Sequence, residues 1–301
     1  MKTIKAFLCL LLSVSMMTLV FAGCNDVGGG HMVMTEDSTT IDDKNNTTED
    51  IKDMFDSLSK DKEYSILFIG NSYTYYNDTV PKMFKKIAES VGYKVNVDSV
   101  TKGGYSLEQF ADPSDEKGKE VDERLTSNKY DYVFLQEQSH TPVSNPEKFY
   151  SGVRKLVLKI KDSGAEPVFY CTWGRRADNK DIQKFNLIDN ETMTWNLAAA
   201  YRKMGEELKA PVANVGLVFR DLYTSSGIGL YHEDGSHPSE VGTYVAALTL
   251  FSTLFGVSTA DVTYDFYLHA PTWTTIKDSV EGIVFNTPEI PDKYLEAYGL
   301  K

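Results

Sequence analysis

Cysteine is scarce in this chain, with three residues among 301, at positions 9, 24 and 171. Basic residues are outnumbered, 31 Lys and Arg facing 43 Asp and Glu, for a net charge of −12. That sign repels phosphate backbones and anionic bilayers, so no nucleic acid is expected as a partner. Long apolar runs are missing except from Ala6 to Ala22, which is short for a membrane span of about 20 apolar residues. There is no P-loop, no G-x-G-x-x-G, no internal repeat and no Cys/His cluster with zinc spacing, so neither a cofactor nor a metal is expected. What is present is the composition of an ordinary globular protein, 42% hydrophobic, 12% aromatic and 25% charged. Fibrous, collagen-like and wholly disordered chains are excluded. The length suits one large α/β domain or two small ones.

Lys2 and Lys5 precede the apolar run and small residues close it, the order of a secretory signal. The ending Phe21-Ala22-Gly23-Cys24 resembles the bacterial lipobox, with Phe21 where Leu is usual. The resemblance implies a signal over residues 1–23 and a lipid on Cys24. The mature chain would be exported and anchored to the cell envelope outside the cytoplasm, touching membrane through that lipid alone. Cys9 would leave with the signal. Cys171 follows the apolar Pro167–Tyr170 and reads as a buried thiol, so no disulfide within the chain is expected although export permits one.

Residues 24–62 read as a flexible acidic tether. From 25 to 63, eleven Asp and Glu against four Lys give −7. Such a stretch buries too little apolar surface to offset its ordering. Ile51, Met54, Phe55 and Leu58 are spaced as one face of a short helix.

The pattern changes from residue 63, and a catalytic domain is expected over 63–258. Ser65–Ile69 is a short apolar run ending at Gly70, the signature of a strand buried on both faces. Further strands are expected at 94–100, 130–135, 166–172 and 211–215. Helices are expected at 81–91, 148–161, 191–208 and 239–255. This alternation predicts a flavodoxin-like, three-layer α/β/α fold around a parallel sheet of about five strands, with its site at the strands' carboxyl ends. Residues 259–301, aromatic-rich and irregular in pattern, are expected to pack on the domain as an appendage.

Two segments carry the chemistry. Gly70-Asn71-Ser72 places a serine just beyond the first strand. Asp234-Gly235-Ser236-His237 places a carboxylate and an imidazole in one loop before the last long helix. A hydroxyl becomes a nucleophile when a base accepts its proton and a carboxylate orients that base. Either segment alone reads equally as a helix cap or a surface turn; their order and placement favour catalysis.

Together these segments resemble the SGNH (GDSL-type) hydrolases over roughly residues 64–256. Ile69-Gly70-Asn71-Ser72 matches the family's G-D-S block with Asn in place of Asp, and Asp234–His237 matches its D-x-x-H block. The resemblance implies Ser72 as nucleophile, His237 as general base and acid, and Asp234 as the orienting carboxylate. It implies an oxyanion hole of the Ser72 N–H, a glycine N–H (Gly103 or Gly104) and an amide after the third strand. The family's G-x-N-D is here Leu135-Gln136-Glu137-Gln138-Ser139, closer to the Q-G-E-S of some carbohydrate esterases. Gln136 is the candidate donor, with Gln138 as the alternative.

Asn71, Tyr73, Trp173 and Arg175 are candidates for substrate contact, since rings stack on sugars and arginine binds carboxylates or hydroxyls. Arg175 and Arg176 would make the cleft locally basic. The expected activity is a lipid-anchored serine esterase of the carbohydrate-esterase type, removing small acyl groups, acetyl above all, from an extracellular glycan. The alternatives are a lipase or lysophospholipase of the same fold, and a glycan-binding lipoprotein without activity.

Overall fold

The computed structural model describes residues 58–77 and 79–301. The signal at 1–23, Cys24 and most of the tether, including all of the helix-spaced run except Leu58, lie outside the described residues. β1 spans Glu63–Gly70, and from Ile66 to Gly70 every residue is buried. Its side chains alternate between the sheet's two sides. Ile66 and Phe68 join one core while Leu67 and Ile69 join the other, which is why the run carries no polar face.

After β1 come α1 (Ser72–Tyr75), α2 (Val80–Ser90) and β2 (Lys94–Thr101). Pro81 sits in the first turn of α2, where its missing N–H costs nothing, and Thr79 caps the helix by accepting from the Lys82 N–H. α3 (Leu107–Ala111), α4 (Glu116–Ser127), β3 (Tyr132–Leu135), α5 (Thr141–Ser144) and α6 (Pro146–Asp162) follow. Then come β4 (Glu166–Tyr170), α7 (Asp181–Lys184), α8 (Asn190–Leu208), β5 (Val212–Ala213), α9 (Val215–Ser225) and α10 (Glu240–Phe255). A 3₁₀ turn at Thr259–Asp261 leads to α11 (Ala270–Phe285) and α12 (Asp292–Ala297).

The five strands pair in parallel in the order β2-β1-β3-β4-β5, so the expected doubly wound fold is borne out. Helices α2, α9 and α10 cover one face of the sheet; α3, α4, α6 and α8 cover the other. The chain reverses its winding between β1 and β3. The loops after these two strands therefore diverge and leave a crevice at their carboxyl ends.

Two expectations need correction. β5 is only two residues long, and Val215, expected to end it, instead opens α9. The tail is not irregular, because Ala270–Phe285 is a 16-residue helix. Its cause is α10, which is apolar all round and buried from Gly242 to Phe255 with only Thr253 partly exposed. A helix of that composition needs cover on every side. Ile276 and Val280 of α11 join the same core. No helix among the described residues is long and apolar enough to cross a membrane.

Candidate active site

β1 ends at Gly70, where a methyl group would lie 2.4 Å from Thr74 Oγ1 and 2.7 Å from Gln136 Oε1. Only glycine leaves room for this turn. Asn71 then caps α1, its Oδ1 accepting from the Tyr73 N–H at 3.2 Å. Its Nδ2 donates to the Tyr105 carbonyl at 3.0 Å and ties the turn to the loop after β2. Ser72 is thus the first helical residue, its N–H among those a helix start leaves unpaired.

The loop before α10 meets this turn. His237 Nε2 lies 2.8 Å from Ser72 Oγ, and Nδ1 lies 2.5 Å from Asp234 Oδ2. Asp234 Oδ1 also accepts from the Ser236 and His237 N–H groups at 2.9 and 3.0 Å. Partial burial pushes the Asp234 carboxyl up. The His237 ring and the two N–H groups together outweigh that and hold it below its ordinary value. An ionised Asp234 fixes the proton of His237 on Nδ1 and leaves Nε2 as the acceptor facing Ser72.

Neighbouring side chains hold the loop in place. Trp173 donates from Nε1 to the Ser236 carbonyl at 3.0 Å and is stacked between Tyr73 and Phe219. The Tyr73 hydroxyl is 2.7 Å from Ser236 Oγ. Asn77 donates to the Pro238 carbonyl at 2.7 Å, and Asn179 to the Asp234 carbonyl at 2.6 Å. Tyr76 lies flat on the His237 ring, centroids 4.4 Å apart. The sequence offered no signal for Asn77 or Asn179, whose roles depend on distant loops meeting.

Several expected roles are corrected by burial. Trp173 is fully buried, and Tyr73 and Asn71 are each 2% exposed, so none of the three presents a surface to a ligand. Arg175 is buried as well; it binds Asp181 at 2.5 Å and Ser139 Oγ at 2.9 Å. Arg176 pairs with Asp178. Both guanidinium charges are thereby offset, and the expected basic cleft is not built by them. The aromatic rings left at the rim are Tyr75, 40% exposed, and Tyr76.

Gln136 is corrected too. Its Oε1 accepts from the Asn71 N–H at 2.8 Å and Thr74 Oγ1 at 2.9 Å, while its Nε2 donates to the Glu137 carbonyl. The amide oxygen and one of its two N–H donors are thereby committed to bracing the nucleophile turn and the loop after β3, and the side chain is only 1% exposed. Gln138 differs. Its Oε1 accepts from the N–H groups of His140 and Thr141 and from Thr141 Oγ1, capping α5. Its Nε2 has only a 3.5 Å contact with Ser139 Oγ. Gly103 and Gly104 form a turn closed by the Tyr105 N–H on the Lys102 carbonyl, with Gly104 at φ 73°. Gly103 is on the nucleophile's side, since a methyl group there would meet the Tyr75 hydroxyl at 2.8 Å, whereas Gly104 faces open space. Among the described residues no group of three or more His, Cys, Asp or Glu is placed to hold a metal ion.

A three-layer α/β/α sheet with a Ser–His–Asp chain at its carboxyl edge defines the class, a hydrolase fold. No family model and no curated protein match the chain. Among solved structures, a protein of Slackia heliotrinireducens described as an SGNH hydrolase is 32% identical. That match covers 64% of this chain and 98% of the other, with a TM-score of 0.56. A DUF4886 family protein from Bacteroides uniformis is 17% identical over 76% of this chain and 98% of its own, with a TM-score of 0.66. The second likeness shows the fold alone. The chain belongs to the SGNH hydrolase family.

Proposed function

We propose that this protein is a serine esterase that removes small acyl groups, acetyl above all, from carbohydrate, and that it works outside the cytoplasm on a lipid anchor at Cys24. The observation that carries the reading is the unbroken chain from Ser72 Oγ through His237 to Asp234, at 2.8 and 2.5 Å. His237 Nε2 takes the Ser72 proton as Oγ bonds to the ester carbonyl carbon. Negative charge moves to the carbonyl oxygen, facing the N–H groups of Ser72 and Gly103 and the amide of Gln138. Collapse of that intermediate breaks the bond to the alcohol, which leaves with the proton from His237. Water then attacks the acyl-enzyme by the same route, giving the carboxylic acid and free Ser72.

The carbohydrate part of the reading rests on the exposed ring of Tyr75 and the half-buried ring of Tyr76 beside Ser72. The inactive glycan-binding alternative predicts Ser72 and His237 out of hydrogen-bond reach, or a blocked site; their 2.8 Å separation disfavours the first. The test is hydrolysis of p-nitrophenyl esters of increasing chain length. Activity should be highest on acetate and fall in Ser72→Ala by about 10³-fold or more. Unchanged turnover in Ser72→Ala rejects the mechanism, and a maximum at long chains turns the reading to a lipase.

A further inference from the structure

One buried ionisable group has no part in this mechanism. Glu137 is wholly buried in the loop after β3. Burial pushes its carboxyl up to about 8 although two N–H groups pull it back. The charged side chains that act on it, Lys148 and Glu108, pull in opposite directions and lie 4.0 Å apart. Keeping a carboxyl in such a place costs stability unless its oxygens are met by donors.

They bridge two loops. The Leu107 N–H, first of α3, reaches both Glu137 oxygens at 3.2 Å. The Gln138 N–H reaches Oε1 at 2.6 Å. Leu107 lies immediately after the loop that holds Gly103 and Gly104, and Gln138 carries the amide with an open donor. The Glu137 N–H donates in turn to the buried Tyr201 hydroxyl at 3.1 Å, which anchors the bridge to α8. One carboxyl thus bridges the two loops to which the esterase reading assigns the oxyanion donors outside the nucleophile turn.

We propose that Glu137 is a positioning residue that sets the separation of the glycine and Gln138 donors of the oxyanion hole. The inference rests on the esterase reading above. A displacement of about 1 Å in a donor weakens transition-state contacts far more than ground-state binding. Glu137→Leu keeps the approximate side-chain size but removes both acceptors and leaves the Leu107 and Gln138 N–H groups without a partner, whereas Glu137→Gln keeps an Oε1 within reach of both.

The experiment compares wild type, Ser72→Ala, Glu137→Leu, Glu137→Gln and Tyr201→Phe on p-nitrophenyl acetate, with thermal midpoints measured alongside. Glu137→Leu is expected to lose at least about 10-fold in kcat with KM changed less than twofold, and Glu137→Gln to lose less. A small alkylboronic acid, whose adduct with Ser72 places an oxygen in the hole, should bind more weakly by the same factor. Tyr201→Phe removes the other anchor of the loop and serves as the structural control, expected to lower the midpoint with a smaller loss of kcat. The proposal is overturned if folded Glu137→Leu keeps wild-type kcat, or if Tyr201→Phe at equal loss of stability loses as much kcat. If Glu137→Leu does not fold, Glu137→Asp, with both acceptors drawn back by one methylene, is judged by the same kcat criterion. Failure of the esterase reading is separately visible, as absent wild-type turnover or unchanged Ser72→Ala.

Discussion

Asp234 has the most to hold in place, with the His237 ring and two backbone N–H groups converging on one carboxylate. Because its folded pKa lies below the ordinary value near 3.9, the stability it contributes is fully present above about pH 4. That stability is lost as pH falls through the depressed folded value. Asp234→Asn should abolish this part of the acid-side pH dependence, read as thermal midpoint between pH 3 and 6. It should also lower kcat by up to about 10⁴-fold, because an amide fails to hold His237 in the tautomer that accepts from Ser72. Gln136 shows how a single residue's role escapes the sequence. Gln136 and Gln138 are two positions apart, and nothing in their spacing tells which amide is spent. The space left by the missing side chain of Gly70 decides it, since Gln136 Oε1 fills that space.

At the scale of elements, α3 and α6 pack with almost no clearance. A methyl group on Gly152 would lie 2.4 Å from the Glu108 backbone nitrogen and 2.7 Å from the Leu107 carbonyl carbon. Neither atom can move without shifting the start of α3, which Glu137 holds. Gly152→Ala should therefore cost about 1–3 kcal/mol in a denaturant titration. It should also reduce turnover beyond what that loss alone produces, as α3 moves off Glu137. Most of the long elements were legible: β1 as an apolar run closed by Gly70, α6 and α8 by periodicity. The short α3 was not, and β5 is shorter than expected, because a few residues carry too little pattern to fix an element or its ends. The segment at Ala270–Phe285 reads poorly in isolation, being rich in Thr and Val. It is a helix because α10 offers an apolar flank for Ile276 and Val280.

For the molecule as a whole, the net charge of −12 is uneven, with −7 between residues 25 and 63. Residues 64–301 also carry −7, so half of the acidity beyond Lys2 and Lys5 belongs to the segment proposed as a spacer and says little about the site. If Cys24 carries lipid, Cys24→Ala should move the protein from the membrane pellet to the soluble fraction on cell fractionation while its turnover on p-nitrophenyl acetate stays unchanged. Persistence in the pellet would reject the anchor.

Strand–helix alternation and the Ser72 and Asp234–His237 blocks are local patterns. The sequence alone therefore determined the doubly wound sheet, the edge that bears the site and the three residues at its centre. Burial and donor assignment depend on which surfaces meet across the fold, and only the tertiary structure decided them. It turned Trp173, Tyr73 and Arg175 from rim to core, spent the Gln136 amide on the nucleophile turn, and set Glu137 between two loops whose sequence separation gives no hint that they touch.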